Sequence, residues 1–180
     1  MAAAADQFNR DGYHGTDSNR IARAAGYAAG TFYKHFADKR EILLAAYEDW
    51  VSREWRAVER EIRSGGPRDD VAGRIVRLVL GHHVRWQGLR RALAALLLED
   101  AEARRFHREQ RRRQLDLLRA MRERAGAQPR SRAEDAVLLF TLERVCDAIA
   151  SGELRDLGLA RAPVLEAVRE AIAEAIGERR

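Results

Sequence analysis

The chain has 180 residues, a length that fits one domain or a small domain joined to a larger one. Its single cysteine, Cys146, excludes an internal disulfide framework and a structural zinc site built from paired cysteines. Apolar residues make up 46% of the chain, which excludes a disordered protein, and no apolar run approaches the ~18 residues of a membrane span. Because the first residues also lack the pattern of a signal peptide, we expect a folded cytoplasmic protein.

The net charge of +5 is unevenly distributed along the chain. Residues 1–50 carry six basic and seven acidic side chains, whereas residues 101–132 carry eleven arginines and four acidic side chains. An arginine-rich solvated helix explains that excess more simply than a phosphate-binding face does. Charge alone therefore does not identify a nucleic-acid-binding protein.

Apolar residues recur with helical spacing along nearly the whole chain. No segment alternates with a period of two for long enough to indicate a strand, so we predict an all-α fold of about nine helices. The first helix is short and ends at Gly12, and the others cover residues 18–25, 28–36, 39–63, 70–86, 89–98, 101–124, 132–150 and 163–176.

Residues 12–39 are the most informative segment. Two short predicted helices flank Gly26, which supplies the positive φ that ends the first of them and turns the chain sharply. Thr16 or Asp17 offers a side-chain oxygen to the free N–H groups at the start of that first helix. Two short helices joined in this way form a helix-turn-helix motif, whose second helix can enter the major groove of DNA.

A set of residues recurs at characteristic spacings around this segment, namely Phe8, Gly12, Tyr13, Thr16, Ile21, Ala22, Ala25, Gly26, Gly30, Thr31, Phe32, Tyr33, His35, Phe36, Asp38 and Lys39. Through these residues the chain resembles the tetracycline-repressor (TetR) family of bacterial transcriptional regulators over residues 4–47. The resemblance implies a helix-turn-helix DNA-binding domain over residues 1–46, with the motif at about 18–37, and a ligand-binding and dimerisation domain over residues 47–180. It also implies a repressor that binds a palindromic operator in double-stranded DNA as a dimer and is released by a small molecule.

Eleven residues are candidate DNA contacts. The resemblance places Tyr33, His35 and Lys39 against the DNA backbone, and each can donate a hydrogen bond to a phosphate oxygen. Small residues at the start of the second helix let the backbone approach the bases, and the other side chains reach bases or phosphates. Two alternatives stay open, in which Thr16 only caps a helix and Tyr33 packs in the domain core. The full set is Thr16, Ser18, Asn19, Ala28, Ala29, Gly30, Thr31, Tyr33, Lys34, His35 and Lys39.

Local features of the motif predict weak DNA binding. The first helix has about eight residues. Ala28 and Ala29 stand where the family commonly has a Ser-Lys pair, which removes a helix cap and a positive charge. Together with the net charge of −1 over residues 1–50, this predicts modest affinity and a shallow salt dependence. The alternative function is an all-helical dimeric small-molecule-binding protein whose truncated helix-turn-helix binds DNA weakly or not at all.

Three long predicted helices indicate how the two domains are joined and how two copies of the chain pair. The helix over 39–63 begins with the D-x-x-E pattern of Asp38 and Glu41 and is long enough to run from one domain into the other. The helix over 132–150 is apolar on nearly all sides, and the helix over 163–176 has an apolar stripe, so both must be covered. They predict a homodimer through a four-helix bundle. The alternative is that both pack only within their own chain.

The predicted effector pocket rests on a set of apolar, aromatic and imidazole side chains, each of which an ordinary core explains more simply: Trp55, Val79, His82, Trp86, Phe106 and Phe140. The effector itself is unknown. We predict no cofactor and no metal site, because His82 and His83 point about 100° apart on a helix and cannot easily chelate one ion. The chain has none of the phosphate-loop, serine-nucleophile or zinc-protease motifs, so we do not expect an enzyme.

Overall fold

The computed structural model describes residues 1–176, and of Ala29 only the backbone. Within these residues the chain forms helices and no strand, which confirms the predicted all-α fold. None of the described helices is long and apolar enough to cross a membrane. The helices are α1 (Ala2–Asp11), α2 (Ser18–Ala24), α3 (Ala29–Phe32), α4 (Lys39–Ser64), α5 (Arg68–Arg85), α6 (Gln87–Glu99), α7 (Ala101–Arg124), α8 (Arg132–Ser151), α9 (Glu153–Asp156) and α10 (Arg161–Ala175).

The six long helices begin and end within two residues of the predicted positions, but two short elements differ from prediction. The regular part of α3 covers Ala29–Phe32 and not residues 28–36. Beyond it the chain tightens, because the N–H groups of Lys34 and His35 bond to carbonyls only three residues back. The prediction also missed α9, whose four residues are too few to show a helical period.

Side-chain caps account for the starts of two long helices, α4 and α8. Asp38 Oδ1 accepts the N–H of Glu41 at 2.9 Å, and a Glu41 carboxylate oxygen accepts the N–H of Ala37 at 2.7 Å. The D-x-x-E pattern therefore caps α4 as predicted. Ser131 and Glu134 form a complete capping box at the start of α8, and Gly152, with φ of 85°, ends that helix.

The described chain divides into two compact units. The first contains residues 1–53 and 86–110, and the second contains residues 54–85 and the chain from 111 onward. The first unit thus groups the helix-turn-helix segment with α6 and the start of α7. The predicted boundary after residue 46 stays a prediction.

The core of the first unit joins α1 to α6. Phe8, Leu43 and Leu89 have no exposed surface there, and Ile21 contributes from α2. The backbones of α1 and α6 approach so closely at Gly88 that a Cβ at this position would overlap the backbone oxygen of Asn9. A glycine is required at this point because no side chain fits.

The core of the second unit is built on α5, which packs against α8 and α10. Several aliphatic residues of α5 are buried in this core, and His83 is fully buried with its Nδ1 2.9 Å from the Asp147 carboxylate. Arg122 of α7 and Asp135 of α8 form a buried ion pair at 2.6 Å. Removing one partner of such a pair strands a charge, so the pair fixes how α7 meets α8.

Candidate nucleic-acid interface and effector cavity

The turn between α2 and α3 has the geometry of a tight helix-turn-helix. Asp17 Oδ1 accepts the N–H of Arg20 at 2.9 Å and so caps α2. At the other end Gly26 has φ of 78°, and its N–H bonds to the carbonyl of Arg23 at 3.0 Å. The N–H of Tyr27 bonds to the carbonyl of Ala22 at 2.9 Å, which completes a Schellman motif. These bonds fix the direction in which α3 leaves α2.

The surface that α2 and α3 present is mostly open to solvent. Phe32 is 6% exposed and anchors α3 in the core, whereas Tyr33 is 57% exposed with its ring edge-on to Phe32 at 5.3 Å. The alternative that Tyr33 packs in the core is therefore wrong. The exposed or half-exposed predicted residues form what we call the α2–α3 surface: Ser18, Asn19, Ala28, Gly30, Thr31, Tyr33, Lys34 and His35.

Thr16 and Lys39 have roles within the fold that the sequence did not indicate. The Lys39 ammonium donates to the carbonyls of Tyr13 at 3.0 Å and Thr16 at 3.2 Å and lies 4.4 Å from the Tyr13 ring centroid. Burial, followed by the carboxylates of Asp38 and Asp100, raises the pKa of the Tyr13 phenol. The Thr16 side chain is 4% exposed and does not cap α2, because Asp17 does. Lys39 thus holds the loop between α1 and α2.

The second unit holds an apolar cavity of about 60 Å³. Trp55, Val58 and Ile62 of α4 line one side of it. The other sides come from α5, α7, α8 and α10, through Ile75, Val79, Leu118, Arg122, Leu138, Leu139, Leu142, Glu143, Ile172, Ala175 and Ile176, with Glu54 at its edge. The cavity is far smaller than the roughly 300–1,000 Å³ of typical small-molecule sites, so a larger ligand requires the lining to move apart.

Charged groups lie at the edge of this cavity. A Glu54 carboxylate oxygen is 3.6 Å from His82 Nδ1, and Glu143 accepts a hydrogen bond from Arg111 at 2.6 Å. Burial, and then the neighbouring His83 and Arg85, lower the pKa of His82 below 6.5. Desolvation is the largest of these causes, because burial disfavours the charged imidazolium.

A second apolar surface lies along α8 and α10. Val137 is 66% exposed and Phe140 48% exposed on α8, although both are large apolar side chains. Between the two helices runs an open groove of about 690 Å³ that includes Val137, Val145, Val164, Ala167 and Ala171. Soluble proteins seldom leave a continuous apolar groove of this kind uncovered.

Residues 1–46 match the family described as bacterial regulatory proteins, tetR family. The likeness to this family covers these residues, about a quarter of the chain. It is also 31% identical, over 61 residues, to the fatty acid metabolism regulator protein of Bacillus subtilis (strain 168). That match covers 34% of this chain and 31% of the relative.

Two solved structures share the fold of this chain. The first is the transcriptional regulator FadR from Bacillus subtilis in complex with stearoyl-CoA, which is 17% identical to this chain with a TM-score of 0.69. The match covers 98% of this chain and 97% of that one. The second is a TetR-family transcriptional regulator from Mesorhizobium loti, which is 18% identical with a TM-score of 0.72. That match covers 97% of this chain and 91% of the other. At these identities the likeness concerns the fold.

The predicted effector residues do not form one group. Trp55 and Val79 line the cavity, and His82 contacts Glu54 at its edge. Phe140 is exposed on α8 and does not line it. Trp86 and Phe106 belong to the first compact unit. Sequence reasoning missed Arg122 and Glu143, because an isolated charge in an arginine-rich helix or an apolar helix gives no sign that it is buried.

Proposed function

We propose that this TetR-family protein is a transcriptional repressor that binds a palindromic operator as a homodimer and is released by a small apolar effector. The observation that carries the proposal is the α2–α3 surface. A capped α2, a Schellman turn and a buried Phe32 hold Tyr33, Lys34 and His35 outward in a domain of the TetR family.

The proposed DNA contacts follow from exposure. Tyr33, Lys34 and His35 donate to phosphates, and Asn19 and Thr31 reach base edges or further phosphates. Ala28, Ala29 and Gly30 have no bulk and let the backbone approach the groove. Ser18 adds a hydroxyl. Thr16 and Lys39 act indirectly by shaping the loop before α2, and the ammonium retains one hydrogen for a phosphate.

The proposed dimer forms through α8 and α10. The exposed Val137 and Phe140 and the apolar groove beside them become buried when a second copy packs on them. Such a pairing is isologous, and it sets two α2–α3 surfaces at a fixed separation. Half-sites one helical turn apart, about 34–36 Å, tolerate little change in that separation.

The proposed effector carries a fatty acyl chain. Most of the cavity lining is aliphatic, with Trp55 as an aromatic side chain, and this suits a hydrocarbon chain. The structural relative FadR from Bacillus subtilis is in complex with stearoyl-CoA, an acyl compound. Because the cavity holds only about 60 Å³, an acyl chain enters only when the lining helices separate. The effector therefore prefers one conformation, as coupling between two sites requires.

The long helix α4 is the proposed link between effector and DNA. It begins at Lys39, which holds the loop before α2, and its residues Trp55, Val58 and Ile62 line the cavity. A ligand that displaces these side chains tilts α4 and changes the spacing of the two DNA-binding surfaces. Effector binding then weakens operator binding by the difference in its affinity for the two conformations.

The experiment is fluorescence anisotropy with a duplex selected from random DNA, with and without dodecanoyl-CoA. The proposal expects the wild type to bind, Tyr33→Ala/His35→Ala to lose at least about tenfold in affinity, and the acyl compound to release the wild type. If the protein binds the acyl compound but no DNA at low ionic strength, the chain is instead a helical small-molecule-binding protein.

A further inference from the structure

A cleft of about 750 Å³ lies where α7 ends and α8 begins, within the second unit. The proposed function makes no use of it. Its volume falls within the roughly 300–1,000 Å³ of small-molecule sites. Unlike the apolar cavity, it is lined by many charged side chains, namely Arg119, Arg122, Arg130 and Arg132 with Asp116, Glu123 and Asp135.

Arg122 connects this cleft to the apolar cavity, because it lines both. Its side chain is 4% exposed. One guanidinium nitrogen donates to Asp135 Oδ2 at 2.6 Å and another to the carbonyl of Gln128 at 3.0 Å. A ligand with an apolar part in the cavity and a polar part in the cleft therefore passes Arg122.

Polar atoms are left over in the cleft. Arg122 Nε and Arg130 Nε are buried and have no hydrogen-bond partner, and neither has Asp135 Oδ1. Buried donors without a partner are rare in folded proteins, and a ligand that accepts hydrogen bonds would supply partners for the two arginine donors.

The other two arginines are held only by surface ion pairs. Arg119 pairs with Glu123 at 2.7 Å and Arg132 with Asp116 at 2.8 Å, and all four side chains are more than half exposed. Exposed pairs of this kind contribute little free energy. A multiply charged anion can therefore draw both guanidinium groups away from their carboxylates, because an arginine fork binds phosphate in a bidentate manner.

We propose that this cleft binds the phosphate groups of an acyl-coenzyme A whose acyl chain enters the neighbouring cavity. The proposal rests on the acyl effector of the proposed function and makes it more specific. The chain then distinguishes an acyl thioester that carries phosphates from the free fatty acid, since only the former reaches both the cavity and the arginines. Arg119 and Arg132 supply the discrimination at the open side, and Arg122 and Arg130 at the inner side.

Isothermal titration calorimetry on the full chain, with dodecanoyl-CoA, dodecanoate and coenzyme A, tests this. The wild type is expected to bind dodecanoyl-CoA at least about tenfold more tightly than dodecanoate, one charge-assisted contact being worth about that factor. Arg119→Gln/Arg132→Gln is expected to lose at least about tenfold for dodecanoyl-CoA and to bind dodecanoate as before. These exposed positions leave the buried ion pair of Arg122 and Asp135 intact.

The matched control is Arg113→Gln/Arg124→Gln, which removes two exposed arginines of α7 that do not line the cleft. It is expected to keep wild-type affinity. An equal loss in the control variant, or equal affinity of the wild type for dodecanoate and dodecanoyl-CoA, overturns the cleft proposal. If dodecanoate binds equally well and releases DNA, the proposed function stands without the cleft. If neither acyl compound binds, both fail.

Discussion

Asn9 Oδ1 accepts a hydrogen bond from the backbone N–H of Leu89 at 3.1 Å. Leu89 lies in the first turn of α6, where N–H groups have no partner within the helix. The residue at the N-cap position, Trp86, offers no side-chain acceptor there. A side chain from α1 thus caps a helix 80 residues further along the chain, and this ties the first helix of the DNA-binding region to α6.

Gly88→Ala is expected to destabilise the protein by about 1–3 kcal/mol, because its Cβ would overlap the Asn9 backbone and force α1 away from α6. The measurement is thermal or urea unfolding. Gly81→Ala is the matched control, since it lies in α5 with nothing within 4 Å of the added Cβ. It is expected to gain up to about 1 kcal/mol from helix propensity. Similar effects at both positions would contradict the close approach.

Tyr33→Phe is expected to lower operator affinity by about five- to tenfold while leaving the melting temperature unchanged. The variant removes only the exposed hydroxyl and keeps the edge-on ring contact with Phe32. Tyr27→Phe is the control, because Tyr27 is 61% exposed in the turn and is not a candidate contact. Fluorescence anisotropy measures both. An equal loss in the two variants would show that the effect is not a phosphate contact.

The salt dependence of operator binding is expected to be shallow, with about five ions or fewer released per dimer. Residues 1–50 carry a net charge of −1, and the Lys39 ammonium is partly engaged by two carbonyls. Lys34→Gln is expected to lower the number of ions released on operator binding by about one per subunit. Anisotropy titrations at several salt concentrations give the slope, and a release of ten or so ions contradicts the prediction.

Val137→Arg is expected to convert the dimer to a monomer, because it places a charge on the apolar face of α8. Val84→Arg is the matched control, since Val84 is also exposed, at 53%, but lies on α5 outside the groove. Light scattering at micromolar concentration distinguishes the two. A Val137→Arg variant that stays dimeric would exclude this face as the interface.

Stability is expected to fall as the pH falls below 6.5, in part through His82. Its folded-state pKa is lower than its ordinary value, so between the two values the unfolded chain binds more protons than the folded chain. His82→Gln is expected to reduce the pH dependence of the free energy of unfolding in this window. Urea unfolding at pH 5 to 8 measures it. An identical slope in the two proteins would contradict the burial of this imidazole.

The long helices could be predicted because their apolar spacing and their caps are local. Asp38 and Glu41 fix the start of α4, and Gly26 fixes the turn after α2, through residues only a few positions apart. The contact between Asn9 and Leu89 could not be predicted, because it joins residues far apart in sequence and leaves no periodic signal. The same holds for α9, whose four residues are too few to show a helical period.

The candidate site was predictable in part. The exposure of Tyr33 and His35 follows the local helix-turn-helix pattern, since Phe32 beside them faces the core. The burial of Thr16 depends on how the loop after α1 folds over Lys39, which no local pattern specifies. In the sequence Arg122 is one of many arginines of a solvated helix. Its burial depends on partners outside that helix, Asp135 and the carbonyl of Gln128, which no local pattern specifies.

The most direct test of the central claim is selection of duplexes from a random DNA library by the purified full-length protein at low ionic strength without effector. The account predicts enrichment of a palindrome whose half-sites are centred about 10 base pairs apart or a multiple of that, and loss of the enrichment in Tyr33→Ala/His35→Ala. Sequencing of the bound pool reads out both results. Failure to enrich any palindrome would contradict the claim that the α2–α3 surface docks on DNA as one of a symmetric pair.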